Sequence, residues 1–407
     1  MQFNFNIYSS LLLIFFVHGL VYAILLLRKG MVNETPAEKW LATFLLLCIM
    51  HIAPWMLGFA GWYDNQPYRQ IMFYIPFQNL LFIGPVIYFY IQSLLNPAFR
   101  FGKQQWLHLV PGILYLLYNV VMVVADKLVL ANIYFYADGR DKDFDNWYQY
   151  LGFFSMLFYF IISLKYYTMY RKLMVQVISY ADVTLFKWIR NFLVAFLTML
   201  VVKLLFTLAS NIPAFQHLDY VGPWWEYLTF AIIFYYIAIT GMSNAIHTKV
   251  SFRLNALGNN TVYLLQNVNT LANTIIDDAE VIVIENDTKT TYKNEENLLA
   301  EWKPKIIAFV QHAKAYEDAE LSLTQVARAL QTNPSIISKV INQGFQLNFN
   351  DFINKYRIEA VKEKLAAGEQ KKQTLLGIAY DCGFNSKATF NRAFKKFTNV
   401  VPKDWVA

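Results

Sequence analysis

The stretch Thr374-Leu-Leu-Gly-Ile-Ala-Tyr-Asp-Cys-Gly-Phe-Asn-Ser-Lys-Ala-Thr-Phe-Asn-Arg-Ala-Phe-Lys-Lys-Phe397 decides how the C-terminal end of this chain folds. Thr374 is placed to cap a short helix containing Ile378 and Ala379, because its hydroxyl can accept from an otherwise orphaned backbone N–H. Gly383 supplies a residue free to take the left-handed turn. Asn385 or Ser386 then caps a second helix. That helix puts Phe390 and Phe394 on one side and Lys387, Asn391, Arg392, Lys395 and Lys396 on the other. A short helix, a tight turn and a helix with an apolar inner face and a basic, amide-bearing outer face make a helix-turn-helix.

Upstream, the pattern occurs a second time. Pro304 suits the first turn of a helix reaching about Lys314, with Ile306, Ile307, Phe309 and Val310 apolar. Ser322-Leu-Thr-Gln325 is a capping box opening the helix of Val326, Ala327 and Leu330. Asn333-Pro334 pairs an N-cap with a proline at the first helical position, and so starts the helix Ser335–Asn342. Ile336 and Val340 read as its core side. Between the two units lies one amphipathic helix with Phe349, Phe352, Ile353, Tyr356, Ala360, Val361 and Leu365 on a stripe, ended by Gly368. One chain thus carries two reading helices, which a single copy can place in successive major grooves about 34 Å apart.

These motifs resemble the DNA-binding domain of the AraC/XylS family of bacterial transcription regulators. The resemblance covers residues 301–407 and is most specific at Ile378-Ala379, Gly383-Phe384, Ser386, Phe390, Arg392, Phe394-Lys395-Lys396 and Pro402. It implies that Ser335, Ser338, Lys339 and Asn342 of the first reading helix, and Lys387, Thr389, Asn391 and Arg392 of the second, face the groove. Lys395, Lys396 and Lys355 would then hold phosphates. One position departs from the family pattern: a glycine is usual just after the first reading helix, where this chain has Gln346, with Gly344 two residues earlier. Chemically, Arg and Lys suit guanine or phosphate, Asn suits adenine and the Thr methyl suits thymine, each base contact giving about 1–3 kcal/mol of discrimination. Phosphate contacts add affinity without reading sequence.

The rest of the chain is of another kind. Of the 407 residues, 57% are hydrophobic and 15% charged, against about 25% charged in soluble proteins. Residues 301–407 hold 16 Lys/Arg against 10 Asp/Glu, a net +6 in far fewer residues than the 16 against 11 of residues 1–250. A basic domain joined to an apolar block suits an anionic partner such as nucleic acid. The two cysteines, Cys48 and Cys382, exclude a disulfide framework and a multi-cysteine zinc site, and both read as inert small hydrophobes.

Seven apolar stretches, about 7–27, 40–60, 71–95, 106–125, 147–169, 191–212 and 224–243, approach the roughly 20 residues that cross a bilayer. The first reads as a retained span: no Lys or Arg precedes Ile7 and no small-residue cleavage site follows. With the C-terminus inside, the inner connections hold twelve basic residues: Arg28, Lys29, Lys39, Arg100, Lys103, Lys165, Arg171, Lys172, Lys187, Arg190, Lys249 and Arg253. The outer connections hold four: Arg69, Lys127, Arg140 and Lys142. The positive-inside rule therefore puts the N-terminus outside and the DNA reader in the cytoplasm, beneath the bacterial inner membrane.

Polar residues inside spans are costly and are functional candidates by default. Lys203, with Glu226 as its partner, is the sharpest; His18 and His51 are the others considered for sensing, and neither has metal-ligand spacing. The outer loop Asp138–Asn146 begins like a calcium loop but has Asn146 where an EF-hand needs Gly and Gly152 where it needs Glu. It therefore reads as a solvated acidic loop. Residues 246–300 form a polar connector. There Leu264, Val268, Leu271 and Ile275 suggest a short helix able to pair two chains, and Val281–Glu285 suggests one strand. A cut in this connector would release the domain.

The expectation is an all-α chain: a seven-span bundle over 1–245, a connector over 246–300 and a cytoplasmic double helix-turn-helix domain over 301–407. It is read as a one-component, membrane-bound transcription regulator, with promoter DNA, the bilayer, a small-molecule or membrane-derived signal and a second copy as partners. No nucleophile–base pair, metal cluster or phosphate loop points to an enzyme, and no cofactor is expected. The alternative is a transporter or membrane enzyme with an appended autoregulatory DNA-binding domain. Pro76, Gly84 and Pro85 interrupt the third stretch, as in transporters, but no matching half exists.

Overall fold

The computed structural model describes residues 3–96, 99–179, 183–209, 212, 221–243, 252–254, 262–264 and 292–406. They group into two compact units, one formed by residues 1–167 with 188–248 and the other by residues 168–187 with 249–407.

The first unit is built from α1 (Ile7–Val32), α2 (Pro36–Phe59), α3 (Tyr68–Tyr74), α4 (Leu80–Leu95), α5 (Lys103–Val124), most of α6 (Asn146–Val177), most of α7 (Val183–Ala209) and α8 (Val221–Ser243). Six of the apolar helices are long and apolar enough to cross a membrane, judged by length and composition, and α4 is a shorter seventh. α1 starts at a capping box made by Asn6 and Ser9 and packs along α2 and α8. Its other side presents Ile14, Val17, Val21 and Ile24 outward; α5 does the same with Leu107, Leu114, Leu117 and Val121. So large an apolar exterior is compatible with membrane insertion.

The third apolar stretch is not one helix. α3 ends at Tyr74, the chain then runs non-helically to Asn79, and α4 restarts at Leu80. Pro76 is the local cause, since it lacks an N–H and disfavours helix in the residue before it. Gly84 and Pro85 lie inside α4 without ending it. At Gly84 a Cβ would meet the Tyr159 ring at 2.7 Å, so the glycine serves close helix packing.

A helix broken among apolar neighbours leaves backbone groups that must find partners within the protein. They find them in the loop that the sequence suggested was solvated. Asp141, Lys142 and Asp143 are 9%, 3% and 0% exposed. The Lys142 ammonium donates to the carbonyls of Phe73 (2.6 Å) and Ile75 (3.1 Å). The Asp143 carboxylate accepts from the amides of Phe77 (2.8 Å) and Gln78 (3.0 Å) and from the Tyr115 hydroxyl (2.7 Å). Tyr148 donates to the Gln78 carbonyl and accepts from the Leu80 amide at 3.0 Å. Asp141–Asp143 thus plug the break, whereas Asp138, Arg140 and Asn146 of the same loop are exposed, as the reading from charge placed them.

The second unit contains the end of α6, a two-stranded ribbon and the C-terminal helices. β1 (Phe252–Leu254) pairs antiparallel with β2 (Val262–Leu264), with Arg253 opposite Tyr263. Val262–Leu264 is therefore strand where helix was expected; the remainder of that expected helix, and Val281–Glu285, lie outside the described residues. α9 (Tyr292–Ile307) begins twelve residues before Pro304, which sits inside it rather than opening it. Then follow α10 (Leu323–Ala329), α11 (Pro334–Lys339), α12 (Phe349–Ala366), α13 (Leu375–Asp381), α14 (Lys387–Thr398) and α15 (Pro402–Val406).

Candidate nucleic-acid interface

Five helices of the C-terminal domain, α10 to α14, are each opened by a side-chain cap. Ser322 and Gln325 close the capping box of α10, and the Asn333 carboxamide accepts from the Ser335 amide at 2.7 Å to open α11. Asn348 caps α12, Thr374 accepts from Gly377 at 3.1 Å to open α13, and Ser386, not Asn385, accepts from Thr389 at 3.2 Å to open α14. Each such cap is worth about 1 kcal/mol. Together they fix where every reading helix begins.

The second helix-turn-helix is closed by a core of Ile358, Val361, Leu365, Ile378, Ala379, Phe384, Phe390 and Phe394. Gly383 forms its turn at φ +88°, and a Cβ there would strike the Tyr316 carbonyl oxygen and lie 2.9 Å from the Glu317 carbonyl carbon. The glycine is thus required twice, by conformation and by close approach. On α14 the exposed side chains are Lys387, Ala388, Asn391, Arg392, Lys395 and Lys396, one continuous outward face. Thr389 is not part of it. It is 1% exposed and its hydroxyl accepts from Ser386 Oγ at 2.9 Å within the cap, so its methyl is unavailable to a base. Lys396 is exposed but pairs with Asp351 at 2.6 Å, tying α14 to α12.

In the first unit of the pair, α11 continues as a wider turn through Val340–Gly344. Ser335, Ser338 and Lys339 are half-buried and Asn342 is exposed, its amide 3.4 Å from Ser338 Oγ. Ile337, 0% exposed, and Val340 form the buried side; Ile336, expected there, is only half-buried, a one-residue shift that a period of 3.6 tolerates. Gln346 takes φ +54°, so this position keeps the left-handed conformation without a glycine. Gln331 does the same at φ +51° in the turn between α10 and α11.

The centre of the domain is Arg357 of α12, 1% exposed and unmarked by any sequence motif. Its guanidinium donates to the carbonyls of Tyr316 (2.8 Å) and Asp318 (2.7 Å) and to Ser179 Oγ (3.0 Å), and lies 5.8 Å from the Phe384 ring. Burial lowers its basicity to about 10. Ser179 belongs to the chain just after α6. Its amide donates to the Leu321 carbonyl at 3.1 Å, its neighbour Ile178 bridges to Ser322, and the Asn350 carboxamide donates to the Ser179 carbonyl at 2.8 Å. Two residues from between the fifth and sixth apolar helices are therefore built into the first helix-turn-helix. The amphipathic pattern offered no signal for this, because a buried arginine and a distant serine fit no periodicity.

In the first unit, Lys203 Nζ lies 3.7 Å from Glu226 and donates to Gln149 Oε1 at 2.8 Å; the Gln149 amide in turn donates to Gln78 and to the Asp143 carbonyl. His51 is buried with its ring against Tyr227 and Phe230, and it shares with Lys203 and Glu226 a void of about 20 Å³, room for one water. His18 is exposed, bonded to the Ile14 carbonyl at 2.8 Å. Among the described residues no group of three or more His, Cys, Asp or Glu could hold a metal. Both cysteines are buried, and burial pushes the Cys382 thiol up to about 11, which keeps it unreactive.

Residues 326–407 match the helix-turn-helix domain family. An uncharacterized HTH-type transcriptional regulator of Staphylococcus aureus (strain COL) is 30% identical over 115 residues, which are 28% of this chain and 15% of that protein. The uncharacterized HTH-type transcriptional regulator YtdP of Bacillus subtilis (strain 168) is 26% identical over 88 residues, 22% of this chain and 11% of its own length. The likeness to these relatives is thus confined to a small part of each. No solved structure matches the chain.

Proposed function

We propose that this chain, whose C-terminal domain is an AraC-type helix-turn-helix domain, is a membrane-held transcription regulator that reads promoter DNA with α11 and α14. Arg392 and Asn391 are the base readers of α14. Lys387 and Lys395 hold phosphates, and Lys396 reaches one by exchanging Asp351 for it. On α11, Lys339, Ser335, Ser338 and Asn342 serve the second groove. The domain lies in the cytoplasm under a bundle spanning the inner membrane, as the distribution of basic residues supports. The bundle senses a signal, and Lys203, Glu226 and His51 are the polar groups within it suited to respond.

The observation that carries the link between sensing and reading is the seat of Ile178–Ser179 inside the DNA-binding domain. Ser179, the second residue after α6 in the chain, is bonded to Arg357, which also holds the Tyr316–Asp318 loop behind the second helix-turn-helix. The chain therefore joins the fifth apolar stretch to this network directly, without residues 244–291 intervening.

Mapping genomic sites bound by the tagged full-length chain tests this reading. Discrete sites that vanish in the Asn391→Ala/Arg392→Ala double variant are expected; unchanged occupancy removes those residues from the role. Cysteine labelling at exposed positions of residues 387–396 in intact cells tests the topology: labelling by an impermeant reagent before lysis overturns it.

A further inference from the structure

The connections that the positive-inside count places outside enclose an open cavity of about 620 Å³, within the range of sites for drug-sized ligands. Its apolar walls are Pro54 and Trp55 at the end of α2, Phe73 of α3, and Phe144 of the buried plug. Its polar groups are Asp64, Arg69 and Asp141, with the Tyr63 hydroxyl. Trp55 and Phe144 meet edge to face at 5.7 Å, and Tyr63 and Phe73 lie 5.9 Å apart, so the faces are held by one another.

Asp141 is bonded within the fold, whereas the charges of Asp64 and Arg69 are not. Asp64 and Arg69 are exposed at the mouth, and their side chains make no hydrogen bond or ion pair with the described residues. Arg69 instead lies 5.5 Å from the Phe73 ring, and a Cβ on Gly139 would come within 3.0 Å of its guanidinium, so the glycine leaves it room. Asp141, at the floor, is buried and oriented by the Tyr63 hydroxyl at 2.6 Å and the Asp143 amide at 3.0 Å. Two carboxylates and one guanidinium around aromatic faces suit a molecule with an ammonium at one end, a carboxylate at the other and apolar substance between. The ammonium gains from the carboxylates and the ring faces, and the carboxylate from a forked guanidinium.

We propose that this cavity is a binding site for zwitterionic short peptides, with the free amino terminus at Asp141 and Asp64, the free carboxylate at Arg69, and the side chains between Trp55, Phe73 and Phe144. The proposal rests on the reading of the bundle as a sensor and names what it senses. The floor of the site continues into the polar chain already described. Asp141 adjoins Asp143; the Asp143 carbonyl accepts from Gln149; and Gln149 accepts from Lys203, the partner of Glu226. A ligand that draws on Asp141 acts at one end of a buried network whose other end lies between α7 and α8.

The test uses purified full-length chain in lipid nanodiscs and three pools of random tripeptides: free at both termini, N-acetylated, and C-amidated. Thermal unfolding and Trp fluorescence report binding. The free pool is expected to raise the unfolding temperature at millimolar concentration, and blocking either terminus to weaken binding at least tenfold. Arg69→Ala abolishes the preference for the free over the amidated pool, and Asp64→Asn weakens binding of the free and amidated pools alike. Both residues are exposed, so both variants fold. Failure of every pool to bind, or equal binding of all three, overturns the proposal. Because no DNA is present, this failure is separable from failure of the promoter-occupancy experiment.

Discussion

Arg357 and Ser179 are 178 positions apart in sequence, yet the Arg357 guanidinium donates to Ser179 Oγ at 3.0 Å in the buried centre of the DNA-binding unit. A guanidinium this deep costs several kcal/mol in desolvation and persists only because its donors are matched to fixed acceptors. Here the bonded acceptors are backbone carbonyls, the Ser179 hydroxyl and the Asn354 carboxamide, none of them charged. Carbonyl acceptors confer geometry without charge neutralisation, so the pair serves to hold three segments in register.

Arg357→Ala leaves the Tyr316 and Asp318 carbonyls without their donor and opens a void in place of a buried side chain. It is expected to cost about 3–5 kcal/mol, and Ser179→Ala about 1–2 kcal/mol. In a double-mutant cycle read by chemical unfolding the two losses should be non-additive by about 1 kcal/mol or more. Simple additivity would show that the two residues act independently.

For DNA affinity, Asn391→Ala and Arg392→Ala should each lower specific binding by about 10–100-fold, corresponding to about 1–3 kcal/mol, and relax preference at one base pair. Lys395→Ala should weaken binding to all sequences alike and reduce the slope of log affinity against log salt by about 0.9. Fluorescence anisotropy across a salt series with cognate and scrambled duplexes separates the two. Thr389→Val, being buried, should alter stability and leave base preference unchanged.

Two of the positive-φ positions of the domain, Gly383 and Gln346, make opposite predictions. Gly383→Ala drives a Cβ into the Tyr316 carbonyl and is expected to unfold the second unit, seen as loss of the cooperative thermal transition. Gln346→Gly relieves a left-handed residue at φ +54° and should stabilise by about 1 kcal/mol, raising the melting temperature by a few degrees.

Asp141 yields a pH prediction with two signs. Burial and the neighbouring Asp143 carboxylate push it up to about 6, against the pull of Lys142 and the Tyr63 hydroxyl. Asp64 and Arg69 face it across the cavity, and Tyr136 lies within its field. Because the folded value is raised, the ionised form costs stability. The unliganded protein should therefore gain stability as pH falls through 6 towards the unfolded value near 4. Binding of an ammonium group needs the carboxylate, so peptide affinity should instead fall, by about tenfold at pH 5. Thermal unfolding with and without the free tripeptide pool at pH 5 and 7.5 reads both effects. Parallel changes would remove Asp141 from the site.

The C-terminal fold was legible because its signals are local. A cap, a turn glycine and a 3.6-residue apolar period each act within a few residues, and Ser322, Asn333, Thr374 and Gly383 sit where those rules put them. The apolar helices were legible for the same reason. What escaped was everything that depends on distant partners. Asp141–Asp143 read as solvated because charge is ordinarily a surface property; the plug forms where Pro76 breaks a helix and frees the Phe77 amide, 66 residues from its partner carboxylate. Arg357 and Ser179 carry no periodic mark at all. The placement of Thr389 failed because the motif aligns the residue while the Ser386 cap turns its side chain inward.

One structural detail sets a rule for the operator. The Tyr316–Asp318 loop is touched by Arg357 of the linking helix α12 and by the turn at Gly383, so that helix and the second helix-turn-helix share one wall. On the proposed reading, two half-sites keep one separation along the duplex, and inserting about five base pairs between them is expected to turn the second to the far side of the helix and to abolish simultaneous binding.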